Sequence, residues 1–265
     1  KLILSAAFGC RVKLIPGATM TTFASMVERS SPDVAGEVWT NAFRQKLIDE
    51  VQSSNLTIAN EQPISQLGEG WWVSPSILQM HPNLITLEDI LERPDLFPHP
   101  NITGKGAFHG CPPGWGCSVA NKQLFKAFKM KEKGWLLVEP SSAADLDSSI
   151  ARVIDSQQNW FGYYWSPTAT VGYYDLRPVD FGVPWGGAKN WDNCILNIQC
   201  DNPRPTSWTH NGVATLLTTE FKNRERNASD YFMTRYFPGE VMNELLVYMA
   251  DGHSAEETAR KFLDD

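Results

Sequence analysis

Tryptophan is the residue type in this sequence best suited to recognition chemistry. There are 10 among 265 residues, more than a core needs, and each indole offers a π face to a cation and an N–H donor. Four clusters stand out. In Cys111-Pro112-Pro113-Gly114-Trp115-Gly116-Cys117 a stiff loop leads into a helix expected near Val119. The first amides of a helix carry partial positive charge. An anionic group could rest on the Gly116 and Cys117 amides while its other end meets Trp115; a loop with Trp115 packed inward fits equally. In Tyr163-Tyr164-Trp165-Ser166-Pro167, alternation puts Tyr163 and Trp165 on one face, and Pro167 leaves Trp165 at the strand end, where α/β ligand sites form. A buried aromatic strand is the alternative. In Glu69-Gly70-Trp71-Trp72, Glu69 and Trp71 share a face and Trp72 points the other way. A carboxylate beside an indole suits a cation; a salt-bridged Glu among core rings is the plainer reading. In Glu37-Val38-Trp39, Trp39 ends a strand with Glu37 as its same-face neighbour. The remaining rings, Trp135, Trp160, Trp185, Trp191 and Trp208, are expected to pack.

Other chemistries are poorly represented. There is no Gly-x-Ser-x-Gly, no phosphate-binding glycine loop and no His-Glu-x-x-His. The five histidines show no paired ligand spacing and read as solvated or capping residues. With 23 basic and 30 acidic residues the net charge is -7, which argues against a nucleic-acid partner. Of five cysteines, Cys111 and Cys117 form one short pair, and Cys194 and Cys200 another. Two local disulfides, hence an oxidising compartment, are the expectation. Zinc with His109 is the rival, though neither spacing suits it. Cys10 is expected to be a buried free thiol. Asp192 and Asp201 flank the second pair and could hold a structural calcium with backbone oxygens, or be solvated loop acids. No other cofactor is expected.

These residues need a scaffold. Strands are expected at Arg11 to Ile15, Asp33 to Trp39, Glu69 to Val73, Leu136 to Val138, Phe161 to Trp165 and Thr215 to Thr218. Helices are expected at Thr21 to Glu28, Asn41 to Gln52, Asn121 to Met130 and Ala144 to Ile154, with three more closing the chain. Such alternation predicts an α/β fold with mainly parallel sheets flanked by helices. The length fits two lobes with a ligand cleft between them, one of residues 1–75 plus 180–265 and the other of residues 76–179. Residues 182–207, rich in Gly, Pro and Asn, read as a long loop pinned by the second disulfide. The chain opens on what reads as the second half of a helix capped by Gly9, so a preceding strand and half-helix are expected to be missing. No apolar run approaches the roughly 18 residues of a membrane span.

The Cys111–Cys117 loop, followed by Tyr163-Tyr164-Trp165-Ser166-Pro167, resembles the periplasmic glycine betaine-binding proteins of ABC importers. The resemblance runs from about Val12 to the C-terminus. It implies a two-lobed periplasmic binding protein fold of the type II kind, closing on ligand without chemistry. Trp115, Trp165 and Trp39 would each give one wall of an aromatic cage. The Glu69-Gly70-Trp71-Trp72 run and the second cysteine pair look closest to the branch that binds trimethylamine N-oxide. That likeness implies Glu69 facing the ligand's positive head and one of Trp71 and Trp72 as a fourth wall. Where betaine binders carry a carboxylate-binding His, this chain has Phe43, which leaves the Gly116 and Cys117 amides for an anionic end. The implied partners are a small osmolyte and a membrane permease, the state a monomer, the location periplasmic. Two alternatives remain: an enzyme such as a lyase or demethylase acting on the osmolyte, with Glu69 or Glu37 as base, and a zinc-stapled interaction module.

Overall fold

The computed structural model describes residues 1–40, 43–53, 55–65, 68–209 and 212–264. The chain divides into two units, the first formed by Lys1–Leu67 and Asn211–Asp265, the second by Gly68–His210. The first unit opens with α1 (Leu2–Phe8), α2 (Thr19–Arg29), β1 (Val34–Trp39), α3 (Arg44–Gln52) and β2 (Leu56–Asn60). The second contains β3 (Gly68–Val73), α4 (Pro75–Met80), α5 (Leu87–Leu91), β4 (Gly106–His109), α6 (Gly116–Ala127), β5 (Trp135–Val138), α7 (Ala143–Asp155), β6 (Phe161–Ser166), α8 (Ala169–Tyr174), β7 (Arg177–Pro178) and α9 (Ala188–Asn190). The chain then returns to the first unit with β8 (Val213–Thr218), α10 (Thr219–Arg224), α11 (Arg226–Thr234), α12 (Gly239–Ala250) and α13 (Ala255–Asp264).

In the first unit β8 lies between β1 and β2, antiparallel to both. Every residue of β8 is buried, as a central strand covered on both faces requires. Phe23 and Met26 of α2, Phe43 and Leu47 pack with Val38, Leu56 and Leu216 in one cluster. Leu217, Phe221, Ala228 and Phe232 form another with Leu4 and Phe8. Alternation along β8 sends Leu216 and Leu217 to opposite sides, so the sheet is a middle layer.

In the second unit the strand order is β5-β4-β6-β3-β7. β4 runs parallel to β5 and β6, while β3 is antiparallel to β6 and β7. The core is aromatic: Trp71, Phe108, Trp135, Trp160 and Phe161 are each at most 1% exposed. Gly162 allows β6 to approach β4, since a Cβ there would lie 2.4 Å from the His109 carbonyl oxygen.

The expected α/β layering with flanking helices is present, but the sheets are mixed rather than mainly parallel. Helical crossovers make β5, β4 and β6 parallel, as the alternation implied. β8 and β3 follow the two passages between units and enter the opposite way, β8 filling the slot between β1 and β2. The observed division also differs from the expected boundaries at 75 and 180. β3 pairs along its whole length with β6, which assigns residues 68–73 to the second unit. Trp191 and Trp208 belong to the aromatic core of that unit and carry the 180–209 segment with them. Arg11 to Ile15 is not a strand; Leu14 and Ile15 are exposed. The Asn41 and Ala42 end of the helix expected at Asn41 to Gln52 lies outside the described residues.

Candidate functional site

One edge of the second unit's sheet gathers the candidate residues. β4 and β6 are parallel, so their C-terminal ends, His109 and Ser166, lie on the same edge. β3 is antiparallel to β6, so its N-terminal end, with Glu69 opposite Trp165, lies there too. This is the edge where α/β sheets bind ligands. The loop leaving β4 is closed by a Cys111–Cys117 disulfide. Gly114 within it has φ +86°, a left-handed turn that a side chain would strain. The loop delivers Trp115 to the N-cap of α6, where no side chain caps the helix. By contrast α7, which follows β5, is capped by Ser142 accepting from the Asp145 amide. The Gly116 and Cys117 amides are first-turn donors without an intrahelical partner.

Trp115 is 37% exposed, unusual for so large a ring. It meets Trp165 edge to face at 5.4 Å between centroids, and Trp165 lies 6.3 Å from Tyr163. Tyr163 contacts the Trp208 ring at 5.5 Å. Glu69 binds into this group: Trp208 Nε1 donates to its Oε1 at 2.9 Å, and the Tyr163 hydroxyl donates to its Oε2 at 3.1 Å. Burial, and then the Glu69 charge, push the Tyr163 hydroxyl well above its ordinary range, so it stays protonated and keeps donating. The result is a carboxylate oriented by two neutral donors among four rings, with an uncapped helix end next to Trp115. Such a surface suits a cation with a short anionic end.

Glu69, Trp115, Gly116, Cys117 and Trp165 are thus gathered at one sheet edge. Trp71 shares the Glu69 face, as alternation implied, but lies one rung deeper. It is 1% exposed, donates to Asn121 Oδ1 at 2.7 Å, and packs on Phe108, Phe128, Phe161 and Phe181. Trp72 lies on the opposite face, buried, with its ring over Gly68. Trp39 belongs to the first unit, where its indole N–H donates to Glu37 Oε1 at 2.9 Å. Phe43 packs on Phe23 at 4.5 Å. A groove of about 810 Å³ beside β1, lined by Leu2, Val34, Met242, Leu245 and Phe262 among others, includes Glu37 but none of the expected cage residues.

Cys194 and Cys200 are also disulfide-bonded, and Cys10 is a free thiol, half-buried rather than buried. Both short cysteine pairs are thus joined as local disulfides. His109 is a core residue stacked on Trp160, held to a pKa of about 4 chiefly by burial. Asp192 and Asp201 are exposed, and no cluster of three or more His, Cys, Asp or Glu suited to a metal forms among the described residues. Sequence reasoning missed Trp208, assigned to packing, and the hydroxyl role of Tyr163. Alternation already placed Tyr163 with Trp165; Trp208 sits in irregular chain, where no period reveals its direction.

No helix among the described residues is long and apolar enough to cross a membrane. No curated protein matches the sequence. Solved structures do. A choline-binding protein of an ABC transporter in complex with choline has a TM-score of 0.66 at 16% identity, over 97% of this chain and 79% of that one. The lactococcal OpuAC protein, closed on glycine betaine, has a TM-score of 0.68 at 17% identity, over 98% and 86%. A glycine betaine/L-proline-binding protein, ProX, from Borrelia burgdorferi has 0.67 at 16%, over 98% and 85%. These likenesses establish the two-lobed α/β binding-protein fold. The model of the substrate-binding domain of ABC-type glycine betaine transport systems matches residues 1–265. The chain therefore belongs to that family of extracytoplasmic proteins, which capture a small osmolyte for a membrane permease and perform no reaction on it.

Proposed function

We propose that this chain captures a small methylated onium osmolyte, trimethylamine N-oxide before glycine betaine or dimethylsulfoniopropionate. The carrying observation is the Glu69 carboxylate, held by Trp208 and Tyr163 beside the Trp165 and Trp115 rings. A quaternary ammonium has no N–H to donate, so rings and carboxylates must hold it. Each cation–π contact contributes roughly 0.5 to 2 kcal/mol, and three or four contribute about 2 to 8. Micromolar capture needs about 8 kcal/mol, before the cost of lost ligand freedom. Rings alone fall short, and Glu69 supplies the remaining attraction to the cation.

An anionic end would rest on the Gly116 and Cys117 amides. Phe43 is a packed apolar side chain with no donor to add, which favours the compact oxygen of an N-oxide over a carboxylate. Trp39 is a further ring of the cage on the resemblance alone. The two disulfides support a periplasmic setting, and the protein acts as a monomer.

Titration calorimetry with trimethylamine N-oxide, glycine betaine, choline, carnitine and dimethylsulfoniopropionate tests this reading. The tightest binding is expected for trimethylamine N-oxide. Tighter binding of choline, which has no anionic end, would overturn the amide role. Heat from none of the five would overturn the onium reading.

A further inference from the structure

We propose that the Cys194–Cys200 loop is a positioning element for the ligand site, holding the Glu69 carboxylate in place through Trp191 and Trp208. The proposal rests on the onium-binding reading above. Residues 182–209 contain little regular structure, and so long an irregular segment in a folded unit is usually functional or disordered. Here it is anchored at several points. The disulfide closes residues 194–200. Gln123 of α6, 2% exposed, brings its Nε2 within hydrogen-bond distance of three carbonyls of that loop, Cys194 at 3.1 Å, Asn197 at 2.6 Å and Cys200 at 3.0 Å. An amide has two hydrogens to share among them, so the clamp suits this loop shape and would fit an opened loop poorly. Thr206, fully buried, accepts from the Gly186 amide at 2.7 Å and ties the two ends of the segment together.

The anchored segment projects Trp191, which is 3% exposed and packs on Trp185 at 5.3 Å and on Trp208 at 5.4 Å. Trp208 in turn donates to Glu69 Oε1. A glutamate side chain has three rotatable bonds and loses substantial freedom when fixed. The Trp208 N–H is one of the donors that fix it, and the Trp208 ring is packed edge to face on Trp191 and against Tyr163. Gln123, Trp191 and Trp208 are therefore positioning residues, and the disulfide holds the loop they depend on.

The test compares wild type, Trp208→Phe, Cys194→Ser/Cys200→Ser and the triple variant. The readouts are titration with trimethylamine N-oxide and glycine betaine, and ¹H–¹⁵N spectra of the indole N–H region. Trp208→Phe keeps a ring and removes the donor, and its missing peak assigns the Trp208 resonance. Trp208→Phe and the cysteine variant are each expected to weaken binding about tenfold. The triple variant should be no weaker than Trp208→Phe alone, because both changes act through one hydrogen bond. The Trp208 resonance should move in the ligand-free cysteine variant. Full affinity in the cysteine variant with an unmoved resonance would overturn the proposal, as would losses multiplying to about a hundredfold in the triple variant. If the cysteine variant does not fold, Gln123→Met, which keeps the disulfide, decides by the same two readouts. Absence of onium binding by wild type would overturn the functional reading and this proposal with it; wild-type binding retained in the variants would overturn this proposal alone.

Discussion

Two adjacent same-face rungs of one strand pair meet different fates. Trp71 opposite Tyr163 and Glu69 opposite Trp165 both join β3 to β6. Around Trp71 the rung is closed by four phenylalanines and by Asn121 from α6. Around Glu69 the sheet ends; Trp208 and Tyr163 donate to the carboxylate, and Trp165 opposite it meets an exposed Trp115. The face is decided by alternation; core or site is decided by distance from the sheet edge. An indole in the first place stabilises the fold. Indoles and a carboxylate in the second place lie at the sheet edge, with Trp115 partly exposed.

Trp71→Ala should break the inner rung with the largest effect, a loss of about 3–5 kcal/mol of stability, read by denaturant unfolding. A much smaller loss would mean that the ring is not part of the core. His109 should show a nearly comparable effect through pH. Burial chiefly holds its folded pKa at about 4, against an ordinary 6.5. The unfolded chain takes up the proton first, so stability is fully present above 6.5 and declines as pH falls towards about 4. The decline amounts to about 3 kcal/mol as an order of magnitude. Unfolding midpoints across that window should fall for wild type and flatten for His109→Gln. Gly162→Ala places a methyl against the His109 carbonyl and should cost about 1–3 kcal/mol; unchanged stability would show that β6 can shift away from β4. Glu69→Gln keeps the shape and removes the charge. It should leave unfolding nearly unchanged and weaken onium affinity about tenfold, separating the outer rung from the inner one.

The sequence carried the parts of the site that have rigid local grammar. Cys111 to Cys117 announced its own loop, and Pro167 marked Trp165 as a strand end. Where the deciding contact was distant, the sequence was silent. Trp71 looks in sequence like the edge tryptophans, and only packing with Phe108, Phe161 and Phe181 marks it as a core ring. Trp208 reaches Glu69 across 139 positions, from irregular chain with no periodicity to read. β4, four residues all buried, has no alternation to reveal it. The antiparallel entries of β3 and β8 escaped because local strand–helix alternation reports neighbours in sequence, and these strands pair after the chain has changed unit.

The most direct measurement is titration of Trp165→Ala and Trp115→Ala with trimethylamine N-oxide and glycine betaine, alongside thermal unfolding of each variant. Trp165 lies on the outer rung and Trp115 against it, so affinity should fall about a hundredfold while each variant still unfolds cooperatively near the wild-type temperature. Wild-type affinity in both variants would contradict the account, because the cation would then be held somewhere other than at this edge of the sheet.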